Sequence, residues 1–290
     1  MRKMVITLLA LGLFAASTAF AANPVRISQV YGGGGGSSVW TYDYVELFNS
    51  GSCPAAIGGW SIQYGSSAGT VFGSSATNCA FIPAGAIIPA CGYYLVQVGS
   101  SGGTGTLDPW PAGGPDLINL AGPSMAAGAG KVALINDQVF PTACAGNSVG
   151  GRYVDVVGYG TGTTCYEGTG PSVTLTSSSV AVRKLGGMTD TDANPTDFPN
   201  PATGTNSVTI HNSTSGTNPS CTVNTTTGAC CLRYDMGWCI ITTAADCAAQ
   251  RIPGVFLGVC TTCGSGFPPF CPTPTPATRS TWGQVKTIYR

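Results

Sequence analysis

Tyr42-Asp43-Tyr44-Val45-Glu46-Leu47-Phe48-Asn49, followed by Gly58-Gly59-Trp60-Ser61-Ile62-Gln63-Tyr64, is the part of the chain that sets the fold class. In the first stretch Val45 and Leu47 alternate with Tyr44, Glu46 and Phe48. In the second, Trp60, Ile62 and Tyr64 alternate with Ser61 and Gln63. A repeat of two sends successive side chains to opposite faces of an extended strand, so that one set meets a core.

The same repeat recurs outward from there. Tyr94, Val96 and Val98 alternate with Leu95 and Gln97. Val132 and Leu134 follow Lys131, Val154 and Val156 flank Asp155, Val180 and Val182 flank Ala181, and Val208 and Ile210 flank Thr209. Spacers with Gly, Pro, Asn or Ser separate the segments, and no helical period lies between them. Many short strands without intervening helices predict an all-β, antiparallel sandwich or barrel. Two connections are long: the glycine run Gly32 to Gly36 with Ser37 and Ser38, and residues 99 to 130. Loops of that composition are expected to pack loosely.

Composition divides the chain. Residues 1–21 read as a signal peptide: Arg2 and Lys3, an apolar run from Val5 to Phe14, then the small-x-small site Ala19-Phe20-Ala21. Residues 22–211 form the β domain, and residues 212–227, rich in Ser, Thr and Asn, read as a linker. Residues 228–271 form a cysteine-rich module. Residues 272–290 are a Pro-rich linker and tail, in which Trp282, Val285 and Ile288 fit one face of a short helix, either a docking signal or a frayed terminus.

Charged residues make up only 8% of the chain, and loss of Arg2 and Lys3 leaves ten basic against 12 acidic side chains. No Lys/Arg cluster exists to neutralise a row of phosphates, so nucleic acid is not expected as a partner. No stretch of the mature chain is long and apolar enough to span a bilayer. The 13 Cys all follow the leader. In an exported chain they read as disulfides, and the odd count leaves one thiol over.

The ordered strand segments resemble the lamin-tail domain family. Tyr42–Asn49 and Gly58–Tyr64 look like its opening, Ile82-Pro83 and Gly92–Val96 like its middle strands, and Gly130–Leu134 and Asp155–Gly160 like its later strands. The resemblance spans roughly residues 25 to 200. It implies an immunoglobulin-like antiparallel β-sandwich of the bacterial extracellular type, and no catalytic residues. Trp60, at a strand start, suits a buried indole that anchors two sheets.

Four patterns invite chemistry. Gly146-Asn147-Ser148-Val149-Gly150 matches a hydrolase serine turn, with His211 and Asp155 or Asp190 as partners. A helix must follow such a serine, and here a strand does, so the stretch reads as a glycine-rich loop. Asp190, Asp192, Asn194 and Asp197 offer alternating oxygens suited to calcium. Pro195 stands where the sharp turn needs glycine, and Asx turns are the competing reading. Cys260 and Cys263 form a C-x-x-C without a second pair for zinc or a βαβ setting for redox work. Trp40, Trp110 and Tyr166 are candidates to stack on sugars, or equally packed loop anchors.

Cys144 and Cys165 bracket the strand at Tyr153 and are a candidate bridge, while Cys53 is left to pair with either Cys79 or Cys91. Cys230, Cys231, Cys239, Cys247, Cys260 and Cys263 are the module's disulfide candidates, in a core too small to hold by burial. Thr243 to Asp246 has capping-box spacing for a short helix carrying Cys247. These readings describe a secreted or cell-surface, non-catalytic protein that contacts a protein or surface-polymer partner. The alternative is a calcium-dependent binder of carbohydrate or surface polymer.

Overall fold

The structure is a computed structural model that describes residues 23–35, 40–73, 75–99, 109–144, 151–203, 207–233, 238–250 and 254–264. The leader of residues 1–21, the Ser148 loop, Cys271 and the tail of residues 272–290 lie outside the described residues.

In chain order the strands are β1 (Val25–Tyr31), β2 (Asp43–Asn49), β3 (Ala55–Ala56), β4 (Ser61–Ser66), β5 (Cys79–Phe81), β6 (Ile87–Ile88), β7 (Tyr93–Val98), β8 (Leu117–Asn119), β9 (Gly130–Ile135), β10 (Tyr153–Tyr159), β11 (Ser179–Val182), β12 (Pro201–Thr203), β13 (Thr227–Arg233), β14 (Trp238–Thr243) and β15 (Val255–Phe256). The helices are α1 (Asn194–Asp197) and α2 (Ala244–Ala248). One sheet runs β12-β11-β1-β2-β7-β8 and the facing one β10-β9-β4-β5, antiparallel except for the β7–β8 pair. This is an antiparallel sandwich, one of the two forms the alternation allows, and it has the immunoglobulin-like character that the lamin-tail resemblance implies. Val208–Ile210 is the one quoted segment that forms no strand; Ile210 is nonetheless buried against the sheet.

The core between the sheets follows the period of two. Ile27, Val45, Leu47 and Val96 from the large sheet meet Ile62, Val132, Leu134 and Val157 from the small one. Trp60 packs at the margin of this core, half-buried. Burying each such aliphatic side chain is worth about 1.5–3 kcal/mol.

β2 and β7, however, are buried on both faces. The outer face is roofed by the segments expected to pack loosely. Trp40 and Trp110 close over Tyr31 and Tyr44, with Trp40 to Tyr31 at 4.9 Å and Trp110 to Tyr44 at 5.9 Å between ring centroids. Trp40, which is buried, is therefore a loop anchor, and Trp110, half-buried, packs against the same cluster. A roofed sheet reads as a continuous apolar run, which explains why Tyr44 and Leu95 break strict alternation.

The linker reading of residues 212–227 gives way to a fastened segment. Asn212 and Asn218 are buried. Asn212 donates to the carbonyls of Ala112 and Gly114, and Asn218 to the hydroxyl of Tyr93. Cys221 is bridged to Cys91. A Ser/Thr/Asn-rich stretch need not be loose, because its side chains cap backbone groups in turns.

The cysteine-rich region is a three-stranded sheet, β14-β13-β15, with α2 against it. Thr243 Oγ1 accepts from the Asp246 amide at the start of α2, the cap that the spacing predicts, and Cys247 on this helix bridges to Cys230.

Candidate functional site

The most concentrated polar chemistry in the molecule surrounds Arg183, which follows β11 and has no exposed surface. The backbone explains why it is there. β11 pairs with β1 only through Gln29 and Val30, so Ile27 lies beyond the partner strand, buried, with its amide and carbonyl unpaired on that side. An unpaired buried backbone group costs about 1–3 kcal/mol. Arg183 Nε donates to the Ile27 carbonyl at 2.8 Å, and the Ile27 amide donates to Asp155 Oδ2 at 2.6 Å. Asp155 sits on β10 of the opposite sheet, and its Oδ2 also accepts from Arg183 Nη2 at 2.6 Å. A charged pair thus replaces a missing strand and bolts the two sheets together.

Three more carboxylates gather around this bolt. Arg183 Nη1 donates to Asp197 Oδ2 at 3.0 Å and Asp190 Oδ1 at 2.9 Å, and the guanidinium lies 4.6 Å from the Phe198 ring centroid. Glu167 accepts from the Val156 amide at 3.0 Å. Burial, together with the nearby Asp155 charge, pushes the Glu167 carboxyl up to about 9. Burial also raises Asp155 above the ordinary carboxylate range, even against the pull of Arg183.

The four residues nominated for calcium are not assembled as the spacing suggested. Asn194 is buried: its Oδ1 accepts from the Gly158 and Glu167 amides, and its Nδ2 donates to the Val156 carbonyl. Asp197 accepts from the Thr191 amide and hydroxyl besides Arg183. Both are committed to internal bonds, close to the Asx-turn alternative. Asp190 and Asp192 instead converge with Glu167, and the ligand oxygens of these three all lie within 4.8 Å of one another. Glu167 is the residue that sequence reasoning missed. It lies well upstream of the Asp-rich stretch, and only folding brings it there.

Of the nominated hydrolase residues, Ser148 lies outside the described residues, and the described ones are engaged elsewhere. His211 places its amide and Nδ1 on Glu46 Oε2, at 2.7 and 3.2 Å, and stacks on Tyr93 at 4.2 Å between centroids. Asp155 belongs to Arg183. Ser28, which is buried, donates to the other oxygen of that carboxylate, Glu46 Oε1, at 2.6 Å. Glu46 thus stands between serine and histidine, where a general base would have to be. Among the described residues, a groove of about 470 Å³ beside His211 is lined by Thr209, Thr214 and Ser215, and Ser215 is tied to Asn212.

The cysteines also pair differently from the short-range options. Cys53 bridges Cys260 and Cys91 bridges Cys221, leaving Cys79 as a buried free thiol, so neither option for Cys53 holds. Cys144 bridges Cys165, and Cys239 bridges Cys263; Cys231 is also disulfide-bonded. The two cysteines of the C-x-x-C therefore go to different partners. The small module is not self-contained, because Cys260 within it and Cys221 in the segment before it are bridged to the sandwich.

Fold and site together define an immunoglobulin-like β-sandwich whose sheets are bolted by a buried arginine and whose small appended sheet is cross-linked to it. Residues 18–161 match the family model of the Lamin Tail Domain, and the chain belongs to that family through this segment. The match ends before β11 and β12, which complete the larger sheet. Comparison with curated proteins finds no match. Among the described residues, no helix is long and apolar enough to cross a membrane.

Proposed function

We propose that this protein is an exported, non-catalytic interaction protein, a lamin-tail sandwich that acts by contact outside the cytoplasm. The observation that carries the reading is the pair of bridges Cys53–Cys260 and Cys91–Cys221. They tie the small module and the segment before it to the sandwich, and such bridges form and persist chiefly in oxidising compartments. The leader-like residues 1–21 agree with that destination. The commitment of His211, Asp155 and Ser28 to internal bonds supports contact over chemistry.

The contact surface we favour lies on the small module. Ile241 and Val255 flank Ala229 and Cys231 on one face of its sheet and are 56% and 50% exposed. Exposed aliphatic side chains grouped on a braced sheet mark an interaction surface. The test uses the mature protein with its bridges intact and cell envelopes of the producing organism. The wild-type chain is expected to sediment with the envelopes, and the Ile241→Asp/Val255→Asp variant to stay in solution. Equal sedimentation of the two, or none by either, counts against the reading.

A further inference from the structure

We propose that the sandwich binds a calcium ion through Glu167, Asp190 and Asp192, beside the buried carboxylate of Asp155. Three independent features converge there. The first is geometric: one oxygen from each of the three side chains lies within 4.8 Å of the other two. Calcium holds oxygens at 2.3–2.6 Å, so ligands on opposite sides of it stand about 4.6–5.2 Å apart, and one ion can touch all three. Magnesium, with bonds of about 2.0–2.1 Å, spans only about 4.2 Å and demands a stricter octahedron. The donor set is all oxygen, which excludes the nitrogen and sulfur sites typical of zinc.

The second feature is an orphan. Asp155 is 2% exposed, and its Oδ2 carries both the Ile27 amide and Arg183. Its Oδ1 is fully buried and accepts no hydrogen bond. A buried carboxylate oxygen without a donor is costly, and a bound cation supplies what the protein does not. The next residue's amide, that of Val156, donates to Glu167, and Arg183 bridges Asp155 to Asp190, so this orphan lies beside the cluster.

The third feature is charge. Among the described residues, Arg183 and Arg26 are the basic partners of the group Asp155, Glu167, Asp190, Asp192 and Asp197, with Arg26 3.6 Å from Asp190. Five carboxyl groups stand against two guanidinia around a site that Asp190 and Asp192 leave open to solvent, and a divalent ion offsets that acidic excess.

The inference does not depend on what the small module contacts, since the ion lies within the sandwich. The test is calcium chloride titrated into the chelator-treated, full mature chain, by calorimetry and by thermal melting. One ion per chain is expected, with Tm rising roughly 5–10 °C at hundredfold excess over Kd. Asp192→Asn is expected to fold normally, because asparagine tolerates the left-handed φ of 51° found there. Its calcium affinity is expected to fall at least tenfold. No heat and no melting shift up to about 10 mM calcium, beyond the weakest extracellular sites, overturns the proposal, as does unchanged affinity in Asp192→Asn. If that variant misfolds, the wild-type titration and melt still decide.

Discussion

Replacing Arg183 by Met isolates the bolt between the sheets. Methionine keeps much of the length and apolar bulk of arginine but removes every donor. The Ile27 carbonyl, Asp155 and Asp197 lose partners while staying buried; Asp190, partly exposed, turns to water. Removing one partner of a buried ion pair costs about 3–5 kcal/mol, and an orphaned buried carbonyl about 1–3 kcal/mol more. The two overlap, because the Ile27 amide keeps Asp155, so a total of about 5 kcal/mol is expected. The assay is urea unfolding at pH 7 with disulfides intact, followed by tryptophan fluorescence. The midpoint is expected to fall while the slope m stays unchanged. Acidification adds a second reading. Without Arg183, Asp155, whose carboxyl burial already raises, binds its proton more tightly folded than unfolded. Its contribution is then fully present below the unfolded carboxylate range and is lost as pH rises through the folded value. The deficit of the variant is therefore expected to shrink between pH 7 and pH 4. A loss under about 1 kcal/mol at pH 7, or a deficit that widens on acidification, refutes the reasoning.

Two further outcomes are expected. Asp43 pins two loops by accepting from the Gly34 and Met125 amides, each at 2.7 Å, and burial pushes its carboxyl up to about 7. Its folded-state pKa lies above the unfolded one, so its share of stability is lost as pH rises from about 4 to 7, on the order of 4 kcal/mol at about 1.4 kcal/mol per tenfold. Subtracting Asp43→Asn melts from wild-type melts is expected to isolate that decline; a flat difference across the window contradicts it. The Cys79 thiol is buried, and burial pushes it up to about 12. Iodoacetamide is therefore expected to leave it unmodified in the native protein at pH 8 and to label it fully in guanidinium, as read by mass spectrometry. Rapid native labelling contradicts the burial.

The strands were legible because burial on one face imposes a period of two on local sequence, and β2, β4, β7, β9, β10 and β11 all appear where alternation places them. β13 opens on Thr227 and Gly228 and carries no such signal, so it emerged only with its partners β14 and β15. The cap at Thr243 was legible for the same local reason, since a side chain reaching three residues ahead is written in spacing. The candidate site was not. Asp190 and Asp192 lie together in sequence, but Glu167 arrives from the loop after β10 and Asp155 from the opposite sheet.

By itself, the sequence determined the class of fold, the cysteine content from which the bridges are built and the scarcity of charge, with 12 Lys and Arg in 290 residues. These depend on composition and on contacts a few residues apart. The tertiary structure alone decided which cysteines meet, which aromatic side chains are roofed over, and which carboxylates share a pocket. Bridges across 130 and 207 residues, and a salt bridge joining two sheets, depend on where the chain returns in space, and no periodicity along one strand encodes that return.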